Sequence, residues 1–164
     1  MLETARLILR RLTIHDAEFM LALLNEPSFL QFIGDRGVRT REDAEKYILT
    51  GPVESYARFG FGLYLTVLKE GDAPIGICGL LKRPALADVD IGFAFLPAFW
   101  GNGYGLEAAR AVMEHGHRDF GLTRVVAITS PENQSSKTLL AKLGLRFEEM
   151  IRLAPEAPDV ELHG

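Results

Sequence analysis

The chain has 164 residues, 48% of them hydrophobic and 24% charged, and a formal net charge of −4. That length suits one domain, residues 1–164, around a single substantial core, with the residue balance of a soluble globular protein. A net negative chain lacks the basic face that nucleic acid or an anionic membrane requires, so neither is expected as a partner.

The first strand is predicted over Ala5 to Leu12, with Leu7 and Leu9 on one face and Ile8 on the other. Thr13-Ile14-His15-Asp16 reads as a helix entry, and Phe19 with Leu23 and Met20 with Leu24 share one helical face until Asn25-Glu26-Pro27 ends it. Thr40 to Asp43 starts a second helix with Ala44, Tyr47 and Ile48 inward, which Gly51-Pro52 frays or stops. Three strands follow in close succession, Phe61 to Leu68, Ile75 to Leu81 and Val89 to Leu96, joined by turns that suit antiparallel pairing. A helix from Leu106 to Phe120, a strand from Arg124 to Thr129 and a helix from Gln134 to Leu143, stopped by Gly144, come next. Leu145 to Leu153 and Val160 to Leu162 complete the strands. No internal repeat or linker interrupts this order, which reads as one α+β domain.

Arg6, Arg10 and Arg11, like Arg36, Arg39 and Arg41, are clustered in sequence and read as solvated surface charge. Cys78 is the only cysteine, so neither an intrachain disulfide nor a cysteine metal cluster is available. Within its apolar run it reads as a buried, inert thiol. His15, His115, His117 and His163 form no metal-ligand pattern and read as surface residues, so no metal is expected. Met1 to Arg11 carries charge throughout and lacks a signal peptide's apolar centre, and no apolar run reaches membrane-spanning length. A cytoplasmic protein is expected.

The chemistry concentrates where the strand ending at Leu96 hands over to the helix from Leu106. Gly101, Gly103 and Gly105 stand at every second position there. Glycine permits tight turns and close approach of a ligand to the backbone. The first amides of a helix have no partner and carry the positive end of its dipole, so this loop suits a pyrophosphate; a ligand-free glycine turn is the alternative. A dinucleotide fingerprint would need a glycine at position 108, which is Ala, and no Gly-Lys-Ser/Thr exists for a P-loop.

The order of elements resembles the GCN5-related N-acetyltransferase family, in its branch of ribosomal-protein N-terminal acetyltransferases. The family's acyl-CoA loop reads Gln/Arg-x-x-Gly-x-Gly/Ala, and Trp100-Gly101-Asn102-Gly103-Tyr104-Gly105 fits it except at the first position. Glu3 to Arg10 and Asn133 to Ser136 through Lys142 to Leu145 match two further segments, so the resemblance runs from about residue 3 to 153. It implies a central mixed, mostly antiparallel sheet of about six to seven strands flanked by about four helices. It also implies acetyl-CoA as acyl donor, an amine acceptor, and a fold that admits a homodimer.

By that resemblance Gly101, Asn102, Gly103, Tyr104, Gly105 and Leu106 hold the pyrophosphate, and Phe93, Ala94 and Phe95 line the pantetheine arm, mainly through main-chain groups. The alternation of the strand sends Val89, Ile91, Phe93 and Phe95 one way and Asp90, Gly92, Ala94 and Leu96 the other. Asp90 falls where the branch often has Glu, which implies a general base, directly or through water; a strand-end carboxylate on the surface is the alternative. Asn133 is a natural helix N-cap for Ser135 or Ser136. The resemblance adds that Asn133 contacts the pantetheine or substrate side and that the Ser136 hydroxyl lies near the thioester sulfur. The Tyr that protonates the thiolate in many relatives is absent between Asn133 and Gly144. The acceptor implied is a protein or peptide α-amino group, with a small-molecule amine or a non-catalytic acyl-CoA sensor as alternatives. Acceptor-binding loops are expected over residues 34–41 and 80–88.

Overall fold

Leu7 and Leu9 have no exposed surface, as the alternation of β2 (Leu7–Arg11) requires, and β2 is the second strand from one edge of an eight-stranded sheet. The computed structural model describes all residues from 1 to 164. Around β2 lie β1 (Leu2–Glu3), β3 (Leu63–Leu68), β4 (Ala73–Leu81) and β5 (Val89–Phe95), each antiparallel to its neighbour. Then come β6 (Val125–Thr129), β7 (Phe147–Arg152) and β8 (Asp159–His163), in the spatial order 1-2-3-4-5-6-8-7. Only β5 and β6 are parallel, and they pair at just two positions, Val89 with Val125 and Asp90 with Val126. Beyond Asp90 the two strands part.

Each face of the sheet carries its own core. On one, α5 (Tyr104–Phe120) and α6 (Gln134–Lys142) set Ala109, Val112 and Leu140 against Leu7, Ile75, Leu80 and Ile91. On the other, α1 (Ala17–Leu24), α2 (Pro27–Phe32) and α3 (Arg41–Ile48) set Met20, Leu24, Phe29 and Ile48 against Leu65 and Ile77. Strand β5 contributes to both, with Ile91, Phe93 and Phe95 turned to the first core and Ala94 and Leu96 to the second.

The sequence expectation of six to seven strands and four helices becomes eight strands and six α-helices. The added strand is the two-residue β1. The added helices are α2 and α4 (Glu54–Phe59), each of six residues. Gly51-Pro52 does not stop α3. A π-helical turn over Leu49–Val53 absorbs both residues and passes the chain into α4, which ends at Gly60 in the left-handed region. Pro27 likewise opens a helix, at the position where its missing N–H costs nothing.

Helix entries follow the sequence closely. Thr13 with Asp16 and Thr40 with Asp43 each form a reciprocal capping box, the first on a short 3₁₀ turn. Thr40→Ala should lower unfolding free energy by about 1 kcal/mol, read as a shifted urea midpoint at constant slope. Four of the six clustered arginines are ion-paired, Arg10 gripping Asp16 at 2.8 Å, Arg39 meeting Asp35, and Arg6 and Arg41 pairing with glutamates. His115 and His163 are not surface residues. His115 lies between Tyr64 Oη at 3.1 Å and Asp119 at 2.6 Å, and His163 is buried. Cys78 is fully buried, and burial pushes its thiol pKa up, as its apolar surroundings suggest. No helix is long and apolar enough to cross a membrane.

Candidate functional site

The glycines of the loop before α5 have different jobs. Gly101 and Gly103 adopt φ of 78° and 81°, the left-handed region that side chains resist. Gly103 is the N-cap of α5 and offers no side chain to the helix. The first intrahelical bond runs from Glu107 N–H to Gly103 O, so the amides of Gly103, Tyr104, Gly105 and Leu106 have no partner within the helix. At Gly105 a Cβ would stand 3.0 Å from Leu139 Cδ1 and 3.5 Å from the Phe95 ring, so this glycine lets β5 and α6 close on the helix start.

Arg6 holds the loop in place, a role invisible in the sequence. Its Nε lies 2.8 Å from Glu107 Oε1, its Nη1 donates to Asn102 O at 2.9 Å, and its guanidinium covers the Tyr104 ring. Burial pushes the Glu107 carboxyl up, but hydrogen bonds from Thr4 and Arg6 outweigh it and hold the group below the usual range. The Asn102 amide donates to Phe99 O and Trp100 O, so its side chain braces the turn. Trp100 Nε1 donates to Phe95 O at 2.9 Å, which pins the loop to the end of β5.

From this loop a cavity of about 500 Å³ runs into the gap between β5 and β6. Phe93, Ala94, Phe95, Gly101, Gly103, Tyr104, Gly105, Leu106, Asn133 and Ser136 all line it. Of the residues expected at the site, Asp90 and Asn102 alone do not. Leu96 N–H donates to Ile75 O at 2.9 Å, which fixes the phase of the β4–β5 ladder. Ala94 therefore turns its main chain to β4 and its side chain to the cavity, a correction to the main-chain role expected of it. Phe93 and Phe95 turn their main-chain groups to the gap, where Trp100 already occupies Phe95 O. On the far wall, Asn133 Oδ1 accepts from Ser136 N–H at 3.1 Å and sets the start of α6, with Ser136 half-buried.

Asp90 is not a surface carboxylate. It has no exposed surface, and Arg83 Nε donates to its two oxygens at 3.1 and 3.2 Å. Burial pushes its carboxyl up, and the Arg83 guanidinium offsets this only in part. Four residues of strand separate it from Ala94, about 13 Å at the usual rise. Direct contact with a reacting atom beside Phe93 to Phe95 is therefore out of reach, and a single water cannot span the gap, so a base role for Asp90 would require a chain of waters from the cavity.

The opposite wall was not anticipated. Leu23, Glu26, Phe29, Phe32 and Ile33, from α1, α2 and their junction, close the cavity on the second face of the sheet. The spacing of Phe29, Phe32 and Ile33 is helical and marks one apolar face, of which only Phe29 is buried, but Pro27 reads first as a terminator. No three His, Cys, Asp or Glu side chains converge as a metal site.

The sequence pattern of the acetyltransferase (GNAT) domain matches residues 6–146. The chain belongs to the GNAT acetyltransferase family. An uncharacterized N-acetyltransferase of Bacillus subtilis, YoaA, is 31% identical over 153 residues, spanning 92% of this chain and 85% of its own. The FsC-acetyl coenzyme A-N(2)-transacetylase of Aspergillus fumigatus is 28% identical over 156 residues, 90% of this chain and 66% of its own. Among solved structures, the ribosomal L7/L12 α-N-protein acetyltransferase RimL, in complex with coenzyme A, superposes with a TM-score of 0.84 at 19% identity. That superposition covers 98% of this chain and 93% of RimL. An acetyltransferase of Agrobacterium tumefaciens gives 0.82 at 24% identity over 99% and 91%. These structures share the GNAT fold with this chain, and the sequence match makes it an N-acetyltransferase.

Proposed function

We propose that this GNAT domain transfers acetyl from acetyl-CoA to the free α-amino group of a peptide or protein. One observation carries the reading: a single cavity joins the uncapped amides of α5 to the open edge of β5. A pyrophosphate at Gly101 to Leu106 would accept from those amides and take the favourable end of the dipole. A pantetheine arm would then take up the ladder that β6 leaves open, bonding the main-chain groups of Phe93 and the Phe95 N–H that Trp100 leaves free.

The chemistry asked of the remaining residues is modest. The amine nitrogen forms a bond to the thioester carbon, the C–S bond breaks, and the sulfur departs. Main-chain N–H groups of β5 stabilise the oxyanion. Ser136 stands near the departing sulfur, whose thiol pKa near ~8.5, by analogy with Cys, needs no strong acid. Asp90 receives the ammonium proton along a chain of waters, its carboxylate held by Arg83. The lone buried thiol and the absence of a spanning helix suit a cytoplasmic setting.

The acceptor follows from acidity. An α-amino group titrates near ~8 and a lysine side chain near ~10.4, so the first is partly neutral at cellular pH. A base acting through water and no acid Tyr suit the less demanding amine. The fold likeness to the L7/L12 α-N-protein acetyltransferase points the same way, whereas the FsC transacetylase favours a small-molecule amine as the second reading. Thiol release should give a higher kcat/KM for a free-N-terminal peptide than for its blocked lysine counterpart or a polyamine. Preference for the blocked lysine peptide would contradict the assignment, and preference for the polyamine would establish the second reading.

A further inference from the structure

The cavity is electrically asymmetric. Its nucleotide end holds the α5 amides and Lys142, one helical turn beyond the Leu139 that abuts Gly105. Its other end, walled by Leu23, Phe29, Phe32 and Ile33, holds the half-buried Glu26. Glu26 is the N-cap residue of α2, yet its carboxylate makes no capping bond there. The other carboxylate of the lining, Glu132, is exposed and accepts from its neighbour Ser130 at 2.6 Å. Ala94, on the face of β5 turned to the second core, lies against this apolar end of the cavity.

We propose that Glu26 is the acceptor-binding residue of this site, selecting a primary ammonium carried on an apolar body with no carboxylate beside it. The inference rests on the transferase reading above. An amine reaches the site mostly as its cation, and a carboxylate against an apolar wall is screened less than one in water, so it holds that cation strongly. A free amino acid brings a carboxylate on the carbon next to the amine. That second negative charge would meet Glu26 inside the same wall and be rejected. A peptide N-terminus, or an apolar amine, carries no such charge. The wall of Phe29 and Phe32 would take the first side chain of the acceptor.

Phenylalaninamide and phenylalanine share the aromatic body and the primary amine; the carboxylate of the amino acid also raises its amine pKa, so kcat/KM is compared per unprotonated amine. The wild-type protein should acetylate the amide with kcat/KM at least about tenfold higher than the amino acid, the size of one partly buried charge contact. Glu26→Gln should raise KM for the amide by about tenfold with kcat little changed, and Glu26→Lys should narrow or invert the preference. Calorimetry should show unaltered acetyl-CoA affinity in both variants, which certifies their fold. Turnover of the amide by Glu26→Gln with wild-type KM, or wild-type preference for phenylalanine, would overturn the assignment of Glu26 alone. A wild-type protein that binds acetyl-CoA but releases thiol with no amine would overturn the transferase reading and this one with it.

Discussion

Gly103→Glu should abolish acetyl-CoA binding. Gly103 caps α5 with φ of 81°, and the amides following it have no helical partner. A glutamate side chain there would lay its own carboxylate over those amides, taking the place of the pyrophosphate. It would also stand near Arg6, whose Nη2 lies 3.4 Å from the position of the new Cβ. Two unit charges 4 Å apart repel by about 4 kcal/mol at an effective dielectric of ~20, about a thousandfold in affinity. Left-handed strain adds to the loss without involving the ligand. Gly103→Asn separates the two effects, because Asn tolerates this backbone region and brings no charge; it should bind within about tenfold of wild type. Calorimetric titration of both variants reads the difference. A Gly103→Glu protein with near-native affinity would remove the pyrophosphate from this loop.

What could be read from the sequence was local. Leu7 and Leu9, the Thr40–Asp43 box, the Asn133 cap and the alternating face of Val89 to Leu96 all follow from periods of two or 3.6 residues and from capping chemistry. Gly101 and Gly103 were legible for the same reason, since their left-handed backbone is a local constraint, whereas Gly105 answers Leu139 and Phe95. What the sequence withheld depends on contacts between distant segments. Arg6 reaches Asn102 and Glu107 across about a hundred positions, and no local pattern marks it as the strut of the loop. Strand β8 inserts between β6 and β7, a choice made by long-range pairing. Proline misled twice, at Pro27 and Pro52, because its local veto on helices holds only in mid-helix without compensation. The first of these hid α2, and with it the acceptor wall. Asp90 read as either a base or a surface carboxylate, because the turn that brings Arg83, seven positions back, over it is not written in the alternation of β5.

Asp90→Asn should lower turnover while leaving acetyl-CoA affinity unchanged, and its effect on stability should depend on pH in a defined direction. A general base contributes ~10²–10⁴-fold, and a relayed base should sit near the lower end, about a hundredfold. Asp90 does not line the cavity, so donor affinity has no reason to change. Burial pushes its carboxyl pKa up in the folded chain, with Arg83 opposing. A group whose folded pKa is raised gives its full stabilisation below the unfolded value and loses it as pH rises through the folded value. Ionised Asp90 therefore costs the fold stability at neutral pH, a cost the uncharged Asn does not carry. Arg83, about one-third exposed, can turn to water when its partner is neutralised. The melting temperature of Asp90→Asn relative to wild type should thus improve as pH rises from about 5 towards neutrality, where a free Asp is already largely ionised. Lower turnover together with improved relative stability is the signature of a carboxylate retained for chemistry at the expense of the fold. Near-native turnover in the variant would reduce Asp90 to an anchor for Arg83. A relative melting temperature that falls as pH rises would mean that Arg83 holds the carboxyl below its ordinary range and that the ion pair stabilises the end of β5.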